Sequence, residues 1–252
     1  MITLKLIYSM FFFFSFITFS YNLENRVYNG RDLRRNVHKY LVKLEIQQEN
    51  TLFTCSGSII SRFWIISAAH CFNDEVNAKI FHHVNIKKQI AEANCVLTHP
   101  HFDKGTVNDS ILTNEHILVD IALVKTVHRI QFNKYVQPIT IGCWENFNRY
   151  GNIAGYGKSE PGLTAPREGQ VRISKCWNDN IQLMCTKGKA QGGSGDSGGP
   201  LIASGILVGV TSANVINTSL TYYASICYNL WWINQVLKSN YQISHKYVIK
   251  NY

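Results

Sequence analysis

Long apolar runs are missing from this 252-residue chain after residue 20, and internal repeats and low-complexity linkers are missing throughout. Without a second apolar run of about 20 residues, the sequence predicts no stable membrane span beyond its N-terminus. Charged residues make up only 16% of the chain, and no basic run is interleaved with aromatic side chains. The net charge of +9 therefore favours a solvated basic surface over nucleic-acid binding.

The first twenty residues have the pattern of a secretory signal. Lys5 precedes an apolar run from Leu6 to Phe19, and Thr18 and Ser20 offer small side chains at the spacing that signal peptidase recognises. We predict that residues 1–20 are a signal peptide and that the mature protein is secreted and extracellular. A signal anchor is the alternative, because the phenylalanine cluster is unusually hydrophobic.

The cysteines fit an oxidising compartment. Seven cysteines in a secreted chain imply up to three disulfides and one remaining thiol, and their spacing alone does not assign partners. Asn108 and Asn217 each begin an acceptor sequence for N-glycosylation. We therefore expect a disulfide-bonded glycoprotein.

Short β-branched and aromatic runs recur along the chain, separated by Gly, Asn, Pro and Ser, as is typical of antiparallel sandwiches and barrels. The predicted strands include 40–46, 63–67, 121–125, 152–155, 201–202 and 206–211. Apolar residues at helical spacing predict one helix over 229–239. Within it we interpret Trp231 and Trp232 as core and lid of the helix packing rather than as a ligand-binding box. Residues 241–252 are polar and unpatterned and predict a frayed tail.

Three short segments carry candidate catalytic residues. Gly195–Pro200 reads Gly-Asp-Ser-Gly-Gly-Pro, a signature around a nucleophilic serine. Ser67–Cys71 contains His70, and Val119–Leu123 contains Asp120 on an apolar strand. The chain order His, Asp, Ser is that of the chymotrypsin-type triad, not that of subtilisin or the α/β-hydrolases.

On these motifs the chain resembles the trypsin and chymotrypsin family of secreted serine endopeptidases, from Arg26 to about Ser239. The resemblance implies an all-β fold of two antiparallel six-stranded Greek-key barrels, chymotrypsin-like, with a C-terminal helix. The implied divisions are a pro-segment at 21–26 and one protease domain at 27–252, made of an N-terminal barrel at about 27–135, a C-terminal barrel at about 136–228, the helix at 229–239 and the tail at 240–252. This length leaves no room for an added regulatory domain.

The resemblance also implies a role for each catalytic residue. Ser197 is the expected nucleophile, His70 its base, and Asp120, costly to bury unpaired, the hydrogen-bond partner of the imidazole. The backbone N–H groups of Gly195 and Ser197 are the expected oxyanion hole, where one donor contributes roughly 3 kcal/mol. Ser212 matches the position that helps hold the triad Asp and pairs with the substrate backbone. Because His70 must be neutral to act, the acid limb of activity is expected near about pH 6.5.

The segment Asn25–Gly30 resembles the activation site of the family. Cleavage after Arg26 by a trypsin-like protease would free the amine of Val27. That ammonium would pair with Asp196 and order the oxyanion loop, since an unpaired buried carboxylate is expensive. We therefore expect a zymogen that is activated in trans.

Disulfide partners are implied by analogy with the family. The expected pairs are Cys55–Cys71, Cys143–Cys227 and Cys176–Cys185. Cys95 is left over, either as a small buried hydrophobe or as a thiol available for reaction or intermolecular bridging. The usual disulfide of the specificity pocket is missing, because Gly193 and the segment 215–220 supply no cysteine.

The residues at the expected specificity pocket depart from the trypsin pattern. Gln191 stands where trypsin-like enzymes have an Asp that pairs with Lys or Arg, so cleavage after basic residues is disfavoured. Asn214 and Thr221 occupy positions where glycines usually leave room, as in elastase-like enzymes. Ala213 replaces the aromatic residue that lines the next subsites. Gln191, Asn214 and Thr221 predict a preference for small or medium uncharged residues at the cleavage site, and Ala213 predicts weaker binding of extended peptides.

Together these features predict a serine endopeptidase that hydrolyses peptide bonds through an acyl-enzyme, without a cofactor and without a metal. The expected partners are protein or peptide substrates, an activating trypsin-like protease and protein protease inhibitors, with the enzyme itself a monomer. The alternative is a secreted protease homologue of weak or no activity that acts as a binding protein.

Overall fold

The computed structural model describes residues 27, 29–34, 36–48, 51–72, 77–82, 85–102, 114–157, 165–176, 183–214 and 218–239. The predicted signal peptide, the pro-segment, the tail and both glycosylation-site asparagines lie outside these residues. Within the described residues, no helix combines the length and the apolar character needed to cross a membrane.

The described residues form thirteen strands and two α-helices. In chain order they are β1 Arg31–Asp32, β2 Leu41–Gln48, β3 Thr51–Ile59, β4 Trp64–Ser67, β5 Ala78–His82, β6 Asn85–Thr98, α1 Asn114–Leu118, β7 Ala122–Thr126, β8 Tyr150–Gly155, β9 Arg167–Lys175, β10 Met184–Lys187, β11 Pro200–Ala203, β12 Ile206–Asn214, β13 Leu220–Ser225 and α2 Ile226–Lys238. All of the strand pairings between named strands are antiparallel.

The first barrel closes in the strand order β2-β3-β4-β7-β6-β5, because β2 pairs with both β3 and β5. Along β2, the alternating residues Val42, Leu44 and Ile46 are fully buried. Such period-two alternation points one face of each strand into the barrel, where every buried aliphatic side chain contributes about 1.5–3 kcal/mol. Burial of this face fixes the register of the strands.

The second barrel runs β8-β9-β10-β13-β12-β11 and returns to β8, and β1 is added to it through β9. Its core includes Tyr223, which is fully buried with its hydroxyl 3.0 Å from Thr186 Oγ1. The prediction of two antiparallel six-stranded barrels is confirmed. The predicted strands lie within or overlap β2, β4, β7, β8, β11 and β12.

The C-terminal helix begins earlier than the predicted 229–239. Helix α2 spans Ile226–Lys238 because Ser225, the last residue of β13, caps it by accepting a hydrogen bond from the N–H of Tyr228. The interpretation of both tryptophans as packing residues is wrong for one of them: Trp232 is buried, whereas Trp231 is 74% exposed. Helix α1 was not predicted, since five residues are too few for a helical repeat to stand out.

Three disulfides brace the fold, and they join the pairs that the family resemblance implies. They are Cys55–Cys71, Cys143–Cys227 and Cys176–Cys185. Cys95 is free and buried in β6, and burial raises the pKa of its thiol. A buried thiol of raised pKa is a poor nucleophile, so the fold favours the interpretation of Cys95 as a small core residue.

Candidate active site

His70 and Asp120 meet at the edge of the first barrel. His70 lies in a single 3-10 turn, Ala69–Cys71, directly after β4, and Asp120 lies between α1 and β7. Asp120 is fully buried. Its Oδ1 accepts the backbone N–H of His70 at 2.8 Å, and its Oδ2 lies 2.6 Å from His70 Nδ1. This double contact fixes both the position and the orientation of the imidazole ring.

The segment that carries Asp120 is tied to the C-terminal helix. Asn229 Nδ2 in α2 donates to the carbonyl of Leu118 at 2.8 Å, at the end of α1. The same amide donates to the carbonyl of Ser225 at 2.8 Å. Because both acceptors are backbone atoms, the Asn229 side chain holds the backbone at Leu118, two residues before Asp120, next to the start of helix α2.

The electrostatics of the pair favour the charged form of each partner. Burial alone would lower the pKa of His70, but the charge and hydrogen bond of Asp120 outweigh it and raise that pKa above its usual value. Burial would likewise raise the pKa of Asp120, whereas the neighbouring His70 and the hydroxyl of Ser212 hold it below its usual range. Asp120 is therefore a carboxylate near neutral pH, and it stabilises an imidazolium at His70.

Ser212 supplies the third contact to the buried carboxylate. It lies in β12 of the second barrel, is 5% exposed, and donates from Oγ to Asp120 Oδ2 at 2.5 Å. Its neighbour Thr211 accepts the N–H of Gly198 on its carbonyl at 2.8 Å. Asp120 and the loop after Ser197 are thus attached to adjacent residues of one strand.

Ser197 is half-buried in the loop that precedes β11. Its carbonyl accepts the N–H of Ser56, in β3 of the first barrel, at 2.8 Å. Gly198 has φ of +79°, and a Cβ there would lie 2.9 Å from the backbone N of Ala68, two residues before His70. The loop therefore packs against the chain that leads to His70. Among the described residues, no hydrogen bond joins the side chains of Ser197 and His70, a common state of such pairs before substrate binds.

The loop at Gly195 and Asp196 is held by its own carboxylate. Gly195 has φ of +94°, a conformation that favours glycine. Asp196 is 2% exposed, and its carboxylate accepts the N–H of Gly157 and the N–H of Gly193, each at 2.8 Å. These bonds hold the backbone on which the two candidate oxyanion donors lie.

The activation segment is described only in part. Val27 is fully buried and packs against Ile153, Val171 and Ala190 of the second barrel. A Cβ at Gly169 would lie 3.1 Å from Val27 Cγ1. Arg26 lies outside the described residues, so cleavage at Arg26 and the pairing of a free Val27 amine with Asp196 stay predictions.

A buried carboxylate anchors the chain that follows Val27. Glu168 in β9 is 6% exposed and accepts Arg31 Nε at 2.9 Å, and its other oxygen lies 2.8 Å from His38 Nε2. Burial lowers the pKa of His38 despite this carboxylate. The backbone carbonyl of Gly30 accepts a further hydrogen bond from Arg167. The first described residues are therefore fastened to the second barrel.

The predicted pocket residues at 191, 214 and 221 lie close to one another around Gly192. A Cβ placed on Gly192 would lie 2.9 Å from Asn214 Oδ1, so the Asn214 side chain covers this glycine. The hydroxyl of Thr221, fully buried, accepts the N–H of Gly192 at 3.3 Å. Gln191 Nε2 donates to the carbonyl of Leu220 at 3.3 Å. Asn214 and Thr221 therefore both contact Gly192, and Gln191 is joined to the residue before Thr221.

Two further features bear on substrate contact. Ala213, beside Ser212 on β12, is half-buried and presents only a methyl group. Asn214 Oδ1 is buried, and it has no hydrogen-bond partner among the described residues. A buried acceptor without a donor costs roughly 1–3 kcal/mol, which a donor from a bound molecule would recover.

Sequence reasoning missed two residues at this site. Ser56 contacts the loop on both sides of Asp196, and Gly157 donates to its carboxylate. No signal in the sequence marks either residue, because each acts on a loop far away in the chain through one hydroxyl or one backbone N–H. Only the folded chain brings these groups together.

Known proteins resemble this chain in sequence and in fold. The family model described as Trypsin matches residues 27–233. Mast cell protease 8 of Mus musculus is 26% identical over 231 residues, which cover 83% of this chain and 89% of that protein. Serine protease 1 of Homo sapiens is 28% identical over 211 residues, which cover 75% of this chain and 79% of that protein.

Solved structures share the fold at lower identity. HL collagenase has a TM-score of 0.71 at 23% identity, over 85% of this chain and 100% of its own. Neuropsin, a serine protease expressed in the limbic system of mouse brain, has a TM-score of 0.68 at 20% identity, over 83% of this chain and 99% of its own. At these identities the likeness concerns the path of the backbone.

Proposed function

The chain belongs to the trypsin family of serine proteases, and from this premise we propose that it is a secreted endopeptidase with Ser197, His70 and Asp120 as its catalytic triad. The observation that carries the proposal is the double hydrogen bond from the buried Asp120 to the backbone and the ring of His70. That arrangement leaves Nε2 of the imidazole free to face a nucleophile and a substrate.

The proposed reaction proceeds through an acyl-enzyme. The Oγ of Ser197 forms a bond to the scissile carbonyl carbon while His70 takes the hydroxyl proton, and His70 then returns that proton to the leaving amine. Water repeats the sequence and releases the acyl group. Asp120 stabilises the imidazolium that forms in each half, in keeping with the raised pKa of His70.

The proposed oxyanion hole consists of the N–H groups of Gly195 and Ser197. The positive φ of Gly195 and the two N–H bonds accepted by Asp196 support a fixed backbone at this loop. Donors held in place before the reaction cost no reorganisation when charge develops on the substrate oxygen. Their expected contribution is roughly 3 kcal/mol each.

We propose that the chain is made as a zymogen and is activated by a trypsin-like protease after Arg26. The burial of Val27 beside Ala190 brings the expected new N-terminus to the second barrel, which also carries Asp196. An Arg26→Gln variant should stay uncut and nearly inactive after treatment with trypsin, whereas the wild type gains activity. An uncut proform as active as the cut enzyme would contradict this step.

The proposed specificity is for small or medium uncharged residues. Asn214 covers Gly192, Thr221 is buried behind it, and Gln191 supplies no charge for Lys or Arg. A large side chain would have to displace Asn214 from Gly192. Ala213 offers less apolar contact to an extended peptide than an aromatic residue would.

Labelling with a fluorophosphonate probe tests the proposed catalysis directly. Trypsin-treated wild-type protein should incorporate one probe per molecule at Ser197, and a Ser197→Ala variant should incorporate none. A Ser194→Ala variant is the matched control, because Ser194 is an exposed serine of the same loop. Absence of labelling in the cut wild type would favour the alternative role of a secreted binding protein.

A further inference from the structure

We propose that Ser56 is a positioning residue that holds the oxyanion loop through the carbonyls of the two residues whose N–H groups form the oxyanion hole. The inference rests on the proposed function and adds a residue to it. Ser56 lies in β3 of the first barrel, while the loop that it contacts belongs to the second. It touches no substrate, so its effect on the reaction runs through the backbone of Gly195 and Ser197.

Two hydrogen bonds connect Ser56 with that loop. Its Oγ donates to the carbonyl of Gly195 at 3.0 Å, and its backbone N–H donates to the carbonyl of Ser197 at 2.8 Å. Asp196 lies between these two residues. One residue thus restrains the backbone on both sides of Asp196, from outside the loop.

The orientation of the Ser56 hydroxyl is fixed by a second partner. The backbone N–H of Tyr156, just after β8, donates to Ser56 Oγ at 2.9 Å. A hydroxyl has one proton, and since Tyr156 uses a lone pair of the oxygen, that proton is directed to Gly195. The carbonyl of Ser56 in turn accepts the hydroxyl of Ser67 at 2.8 Å. All polar atoms of Ser56 are therefore engaged in a fully buried position.

The hydrogen bond from Ser56 matters because Gly195 itself restricts its own backbone conformation very little. A glycine at φ of +94° moves among more backbone conformations than other residues do, and its N–H turns away from the oxyanion as its dihedral angles change. Holding its carbonyl limits the rotation of the peptide on its C-terminal side. The hydroxyl of Ser56 therefore stabilises the conformation in which the N–H of Gly195 faces the oxyanion.

Ser58 offers a matched control on the same strand. It lies two residues further along β3 and is as fully buried as Ser56. Its Oγ has no hydrogen-bond partner among the described residues. Removing either hydroxyl deletes the same atom from the same barrel, but only removal of the Ser56 hydroxyl takes the donor from the Gly195 carbonyl and the acceptor from the Tyr156 N–H.

The test compares trypsin-activated wild type, Ser56→Ala and Ser58→Ala with one chromogenic peptide substrate. Active sites are titrated with a fluorophosphonate, so that kcat refers only to folded, reactive molecules. For Ser56→Ala we expect kcat to fall about tenfold with KM within about twofold, the size expected when one buried carbonyl loses its donor. Affinity for a peptide aldehyde, whose adduct places an oxygen in the oxyanion hole, should fall by a similar factor. Ser58→Ala should keep both values within about twofold.

The other possible results distinguish a failure of the positioning role of Ser56 from a failure of the proposed peptidase function. If the wild type is active and Ser56→Ala matches Ser58→Ala in kcat and in aldehyde affinity, the positioning role is wrong and the proposed function stands. A loss that falls wholly on KM or on the melting temperature would also overturn the positioning role. A wild type that neither reacts with the fluorophosphonate nor hydrolyses peptides would overturn the proposed function, and the positioning role with it.

Discussion

The two ends of the stretch Gln191–Pro200 are held by hydrogen bonds of different length. At the catalytic end, Asp196 accepts two backbone N–H groups at 2.8 Å, and the carbonyl of Ser197 accepts a third from another barrel. At the predicted pocket end, Gln191 Nε2 donates to the carbonyl of Leu220 and the N–H of Gly192 donates to Thr221 Oγ1, both over the longer distance of 3.3 Å. The reaction needs atoms fixed to a fraction of an ångström, whereas a pocket needs only the right volume and charge.

This difference indicates at which positions the chain tolerates amino-acid substitutions. Residues at the proposed catalytic end match the Gly-Asp-Ser-Gly-Gly-Pro motif. Their backbone and side-chain groups form hydrogen bonds with buried residues of the first barrel or of the second. The predicted pocket end carries the departures that the family resemblance implies: Gln191 in place of an Asp, and side chains at 214 and 221 in place of glycines. A substitution at the catalytic end should therefore reduce the rate for every substrate, whereas one at the pocket end should change which substrate is cut.

The largest expected effect follows from Asp120→Asn at the catalytic end. An amide in place of the carboxylate holds His70 in the wrong tautomer and no longer stabilises the imidazolium, so kcat should fall on the order of 10^4-fold. Ser212→Ala is the control, because it removes one donor to Asp120 and leaves the bonds to His70 in place. Measured kcat values within tenfold of each other for Asp120→Asn and wild type would sink the triad assignment.

At the pocket end, Asn214→Gly should change selectivity with little effect on the chemical step. Removal of the side chain that covers Gly192 opens space for a larger residue, so the ratio of kcat/KM for a phenylalanine substrate over an alanine substrate should rise roughly 10- to 100-fold. The kcat for the alanine substrate should stay within a few-fold. An unchanged ratio would show that Asn214 does not limit the pocket.

The pH dependence of activity should change with substitutions at the proposed catalytic end and stay the same with substitutions at the proposed pocket end. Protonated His70 cannot accept the proton of Ser197, so activity is present above the pKa of His70 and is lost below it. Because Asp120 raises that pKa, the acid limb of kcat/KM should lie above the pH of 6.5 expected for an ordinary histidine. In Asp120→Asn, burial without a neighbouring carboxylate lowers the pKa of His70, so the acid limb of the residual kcat/KM should lie below pH 6.5. Asn214→Gly should leave the limb in place, and a shift in that variant would contradict the separation.

The smallest effect is expected for the stability of Gln191→Ala. This change removes the 3.3 Å hydrogen bond from a half-buried side chain to the backbone carbonyl of Leu220, and the free energy of unfolding should fall by about 1 kcal/mol. Asp196→Ala is the comparison, because it leaves the N–H groups of Gly157 and Gly193 without acceptors and should cost about 3 kcal/mol or more. Urea unfolding of both variants measures the difference, and equal losses would refute the contrast between the two ends.

The sequence predicted best what is local along the chain. Strands such as β2 and β12 were recognisable because burial of one barrel face imposes an alternation that a short window contains. Family motifs around His70, Asp120 and Ser197 are contiguous as well, and the structure brings their segments to one site. The two barrels followed from these motifs and are confirmed.

The remaining features depend on contacts between distant parts of the chain. Ser56 lies 139 residues from Gly195, and His38 lies 130 residues from Glu168, so no local pattern relates either pair. Trp231 and Trp232 are adjacent on one helix, and only the packing of α2 against the barrel decides which of them is buried. The contact between Asn214 and Gly192 likewise depends on the approach of β12 to that glycine.

The most direct test of the central claim is a peptide-library cleavage profile of the trypsin-activated protein, run beside its Ser197→Ala variant after the activating enzyme has been inhibited. The wild type should cleave after small or medium uncharged residues, and the variant should cleave nothing. Cleavage after Lys or Arg by the wild type would contradict the narrowed, uncharged pocket. Equal cleavage by Ser197→Ala would contradict the triad itself.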